Sequence, residues 1–82
     1  MAAGPLINVS VNDRLGAKYE ILCSSSISIG DFKKLIAVYT GTKADAIMLK
    51  RQSHRLLKDS ITLGDYEIGE ESSLDLETDT RD

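Results

Sequence analysis

One segment of helical period is set between segments of period two, and that arrangement limits the architectures open to this chain. Ile29, Phe32, Leu35, Ile36 and Tyr39 recur every three or four residues, with Lys33 and Lys34 off that face. Ser28 is a suitable N-cap, Asp31 sits near the positive end of the helix dipole, and Gly41 can supply a left-handed stop. The pattern predicts a helix from Ile29 to Thr40, with Ile29, Leu35, Ile36 and Tyr39 in the core and Lys33 and Lys34 on the solvent side.

Before the helix, Ile7, Val9 and Val11 alternate with Asn8, Ser10 and Asn12, and Tyr19, Ile21 and Cys23 alternate with Lys18, Glu20 and Leu22. The turn Asn12-Asp13-Arg14-Leu15-Gly16 joins the two runs, which predicts a β-hairpin. After the helix, Ile47 and Leu49, then Leu56-Leu57, then Ser73 to Glu77 read as three more strands. Leu63-Gly64-Asp65-Tyr66 reads as a tight helical turn between the last two. The order β-β-α-β-β-β implies an α+β layer, one helix packed across a mixed sheet. Residues 1–5 read as an N-terminal extension, 6–77 as one domain, and 78–82 as a charged tail.

Eighty-two residues form one small core and leave no room for a deep catalytic cavity. A net charge of −3 opposes direct nucleic-acid binding, which needs an excess of Lys and Arg on one face. No apolar run reaches the length of a membrane span, so no membrane contact is expected. The charge is uneven. Lys43, Lys50, Arg51, Arg55 and Lys58 cluster against Asp45 alone, while the stretch from Asp59 onward is strongly acidic. These charges either offset each other on neighbouring strands or leave a basic strip for an acidic partner.

Cys23 is the only cysteine and His54 the only histidine. No internal disulfide can form, in keeping with a reducing compartment, nucleus and cytoplasm. One Cys and one His cannot supply the four ligands of a structural zinc, and a nucleophilic dyad would need them adjacent. Cys23 is expected inward, as a small buried hydrophobe. No phosphate-binding glycine loop is present. The expectation is a monomeric binding protein with no enzyme activity, cofactor or metal.

Several segments in order carry a resemblance. They are Val11-Asn12-Asp13-Arg14-Leu15-Gly16, Ile29-Gly30-Asp31-Phe32-Lys33-Lys34-Leu35-Ile36, Thr40-Gly41-Thr42 and Leu57-Lys58-Asp59. With Leu63 to Ile68 and Ser73 to Leu76 they resemble the ubiquitin-like β-grasp, and more specifically the homologous-to-ubiquitin family, also called ubiquitin-like protein 5. The resemblance implies a non-covalent modifier that binds a short helical motif in spliceosomal proteins of the tri-snRNP and tunes pre-mRNA splicing. It implies a surface beside the helix and the second strand. It also implies that Tyr66 fixes the turn after Leu63 through its hydroxyl.

Two positions depart from the family. A tyrosine pair is replaced by Glu77-Thr78, and the acid of the loop before the helix is replaced by Ile27. An ion pair to a partner arginine would be lost there.

Contact positions expected from this reading are Arg14, Leu22, Ile27, Lys33 and Lys34. Leu22 is expected to point out of its strand. Ubiquitin's apolar sheet patch is expected to be missing: Met48 stands alone beside Lys50, and Glu77 takes the place of a valine. Thr78, Asp79, Thr80 and Arg81 are bulky or charged and include no Gly-Gly pair, which leads to the expectation of binding without an isopeptide bond. The alternatives are a conjugated modifier and a ubiquitin-like regulatory segment of a longer protein.

Overall fold

A computed structural model describes residues 6–51 and 55–78. The expected N-terminal extension, His54 and residues 79–82 of the charged tail lie outside these described residues. The chain forms β1 (Leu6–Asn12), β2 (Lys18–Ser24), α1 (Ile29–Thr40), a short 3₁₀ turn (Ala44–Ala46), β3 (Ile47–Arg51), β4 (Arg55–Leu56) and β5 (Ser73–Thr78). The sheet order is β2-β1-β5-β3-β4. β1 pairs with β2 antiparallel and with β5 parallel, and β3 is antiparallel to both β4 and β5. A mixed sheet carrying one helix is the α+β layer expected from the alternating pattern, and it is the β-grasp that the resemblance implied.

The alternation fixes which face is buried. Ile7, Val9 and Val11 of β1 meet Ile21 and Cys23 of β2, Leu74 and Leu76 of β5, and Ile47 and Leu49 of β3 in one core. Phe32, Ile29 and Ile36 descend into that core from α1 and are fully buried. Each such side chain contributes roughly 1.5–3 kcal/mol by leaving water.

The helix begins where Ser28 Oγ accepts the Asp31 amide at 3.1 Å, a cap worth about 1 kcal/mol. It ends at Gly41, whose φ of 76° allows its amide to reach the Ala37 carbonyl.

Three elements differ from the sequence reading. Tyr39, expected in the core, is 53% exposed. It stands in the last turn of α1 and is not among the residues packed against the core, so helical period alone does not bury it. Leu35 is half-buried and packs against the core from its edge. β4 is Arg55–Leu56 rather than Leu56-Leu57, although the Leu57 amide still donates to the Leu49 carbonyl at 2.9 Å. β5 also extends to Thr78, one residue past the expected domain end.

The loop from Lys58 to Ile68 closes the bottom of the core. Leu63 and Ile68 are buried, and Ile68 donates to the Leu63 carbonyl at 2.9 Å. Tyr66 Oη accepts the Lys58 amide at 2.8 Å, so the phenol spans this loop as the resemblance implied. The Arg51 guanidinium donates to the Tyr66 carbonyl from the adjoining strand.

Candidate functional site

The five contact positions expected from sequence do not converge. Arg14 lies in the turn before β2, and Ile27 lies in the loop after it. Seven strand residues at about 3.3 Å each separate them by roughly 20 Å. Leu22 projects from the outer face of the sheet and is 63% exposed, as its alternation required. Ile27 is half-buried and packs against the core, and its carbonyl accepts the Leu63 amide at 3.0 Å.

The two helix lysines line one depression but differ in exposure. Lys34 is exposed, 3.5 Å from Asp31 one turn earlier. Lys33 was expected on the solvent side, but its side chain is only 12% exposed, with Nζ 2.7 Å from Asp59 Oδ1. The loop carrying Asp59 lies along that flank of α1, and the long methylene stem of Lys33 is covered by it.

The position of Lys33 orients the whole helix. About 100° of rotation separates successive residues, so Leu35 emerges on the flank opposite Lys33. Lys33, Ala44 and Asp59 line the depression on the 3₁₀-turn side, next to β3. The opposite flank lies on the side of edge strand β2. There Leu35 is followed by Val38, 81% exposed, and by Tyr39. Residues three and four apart share a helix face, so these three form one apolar stripe.

Val38 and Tyr39 were missed by the sequence reading. The signal lay in the breadth of the apolar pattern, because Val38 falls outside the arc that Ile29, Phe32 and Ile36 define. Leu6 was missed as well. It stands on the outer face diagonal to Leu22, since Leu22 pairs with Asn8 and Leu6 pairs with Ser24. Diagonal neighbours on one face are within reach of long side chains.

Elsewhere on the outer sheet face Leu56 stands 56% exposed opposite Lys50, and the polar residues bond one another. Asn12 Nδ2 donates to Ser73 Oγ at 2.7 Å, and Asn8 Nδ2 donates to Glu20 Oε1 at 3.3 Å. Lys50 Nζ meets Glu77 Oε1 at 3.1 Å across β3 and β5. Lys50 is thus offset by an acid on the adjacent strand, as one reading of the charge pattern held, while Arg51 is engaged by the neutral Tyr66 carbonyl.

Cys23 is a free, buried thiol whose pKa is raised by desolvation. Among the described residues no group of three His, Cys, Asp or Glu is placed to hold a metal ion. Among them, too, no helix is long and apolar enough to cross a membrane.

No protein-family model matches the chain. Individual relatives do. Over 71 residues the chain is 48% identical to the ubiquitin-like modifier hub1 of Schizosaccharomyces pombe, covering 87% of this chain and 96% of that one. It is 46% identical, with the same coverage, to ubiquitin-like protein 5 of Drosophila melanogaster. The chain belongs to the ubiquitin-like protein 5 (Hub1) family.

Solved structures agree on the fold. The N-terminal ubiquitin-like domain of the 4931431F19Rik protein superposes with a TM-score of 0.87 at 23% identity, covering 96% of this chain and 80% of that one. The ubiquitin-like domain of Plasmodium falciparum Dsk2 does so with a TM-score of 0.81 at 24% identity, covering 88% of this chain and 96% of that one. Ubiquitin-like proteins of this kind are generally non-enzymatic, so the surface is where a function of this Hub1-family chain has to be sought.

Proposed function

We propose that this protein binds, without a covalent link, an amphipathic helical segment of a spliceosomal protein, and thereby tunes pre-mRNA splicing. The observation that carries the reading is the apolar stripe Leu35–Val38–Tyr39 on the β2 side of α1. A helix laid along such a stripe offers apolar residues three and four apart, which matches the spacing of the stripe. Exposed aliphatic and aromatic groups on a rigid helix lose little conformational freedom on binding. Family membership supports a ubiquitin-like role, and the splicing partner is the part that the sequence resemblance adds.

Ile27 and Lys34 border the stripe, and Leu22 stands across the β2 edge from it. Ile27 replaces an acid in this loop, so the contact there is apolar rather than ionic. Lys33 contributes by tying α1 to the Asp59 loop. Binding rather than catalysis is the mode of action, and the protein works in the nucleus and cytoplasm.

The test is a titration of the isotope-labelled chain with a peptide of the helical motif. Shifts confined to Leu22, Ile27, Lys34, Leu35, Val38 and Tyr39 are expected, with Val38→Asp and Leu22→Asp folding normally and losing capture. Absence of shifts at millimolar peptide overturns the reading. So does formation of a thioester when the protein is incubated with activating enzyme and ATP.

A further inference from the structure

We propose that the outer edge of β2 takes an extended, uncharged peptide segment as an added antiparallel strand, a second class of ligand beside the helical one. β2 lies at one end of the sheet, and among the described residues no strand pairs with its outer side. Its seven residues run without a bulge or a proline, from Lys18 opposite Asn12 to Ser24 opposite Leu6. The direction of its main-chain groups follows from β1. The Ser10 amide donates to the Ser72 carbonyl at 2.8 Å, and the Asn8 carbonyl accepts the Glu71 amide at 2.8 Å, so these two residues turn toward the β5 side. Ile7, Val9 and Val11 therefore turn toward β2 and engage Cys23, Ile21 and Tyr19. Glu20 and Leu22, which alternate with those partners, aim their N–H and C=O groups at the outer edge. A row of donors and acceptors at this spacing is matched by another extended main chain.

The side chains beside the edge set the rest of the ligand. An added strand lies about 4.8 Å beyond β2 and sends alternate side chains toward α1, on the flank that carries Leu35, Val38 and Tyr39. β-branched apolar residues suit those positions. The ions nearby come in opposite pairs: Lys18 Nζ lies 3.9 Å from Glu20 Oε2, and Lys34 Nζ lies 3.5 Å from Asp31 Oδ1. Neither sign of charge is favoured, so an uncharged segment fits. A second copy of this chain presents the same edge, but it would turn Tyr19, Ile21 and Cys23 toward α1, and Ile21 and Cys23 are already buried in their own core. A separate segment brings side chains that are free to cover the stripe. It uses the surface assigned above to a helix, so the two ligands exclude each other.

The probe is acetylated, amidated Thr-Val-Thr-Val-Thr-Val-Thr, titrated into the isotope-labelled full chain. Residues bonded across an antiparallel pair share a face, so with the valines toward α1 the threonine amides face β2. N-methylation of two inner threonines is expected to weaken binding about tenfold, the scale of two main-chain hydrogen bonds, while N-methylation of two valines leaves it unchanged. Amide shifts are expected from Tyr19 to Leu22 and at Val38, with hydrogen exchange at Glu20 and Leu22 slowed at least tenfold. The helical-motif peptide shifts Val38 and Tyr39 without slowing those two amides, so either reading can fail alone. Equal binding of the two methylated peptides, unslowed exchange at Glu20 and Leu22, or no shift at millimolar concentration overturns the proposal.

Discussion

Lys33 Nζ lies 2.7 Å from Asp59 Oδ1, and the Gly30 amide donates to the Asp59 carbonyl at 3.0 Å. One residue of the loop after β4 thus holds α1 at two points a turn apart. Lys33 is the sheltered partner and Asp59 the exposed one, so water screens the pair from one side. Lys33→Ala is expected to destabilise the fold by about 1 kcal/mol, combining the ion pair with lost stem packing. Urea denaturation measures it, and raised salt should remove only the ionic part.

Tyr66→Phe keeps the ring and deletes the acceptor for the Lys58 amide. A loss of roughly 0.5–1.5 kcal/mol is expected, at the upper end if water cannot reach that amide. Hydrogen exchange should show faster exchange at Lys58 before any global change.

Glu67 has a φ of 60° and Glu71 a φ of 64°, a left-handed conformation that side chains with a Cβ resist. The strain is about 1–2 kcal/mol per residue, partly offset by the extra unfolded freedom of glycine. Glu67→Gly is therefore expected to raise stability by about 0.5 kcal/mol, measured as a shift in the denaturation midpoint.

Burial raises the Cys23 thiol above its ordinary pKa. Folding then favours the protonated form. Its stabilising contribution is complete below the unfolded thiol's pKa of about 8.5 and is lost as pH rises from there through the higher folded value. Cys23→Ala should abolish this alkaline decline while costing some stability at neutral pH through the small void. In the native protein a thiol reagent at neutral pH should react slowly, and unfolding by urea should release the reactivity.

The fold was legible because its two periods are clean. Ile7, Val9 and Val11 alternate without error, and Ile29, Phe32 and Ile36 hold one arc. The contact surface was less legible. Tyr39 obeys the same period as Ile36, yet it is exposed while Ile36 is buried, and a periodicity carries no information about how far the opposing layer extends. Lys33 reads as a solvated cation until Asp59, far along the chain, is brought against it. Arg14 and Leu15 could be read as turn residues, but their separation from Ile27 depends on the length and direction of β2. Local pattern specifies a residue's own face, while convergence of distant faces is a property of the tertiary arrangement.

β5 enters the sheet between β1 and β3, and it is the last of the described strands. A nascent polypeptide therefore brings its hairpin and helix into being with the middle of the sheet still vacant. Leu74 and Leu76 seal the core only after synthesis has passed Thr78, so the order of translation delays cooperative collapse until nearly all of the domain has been made.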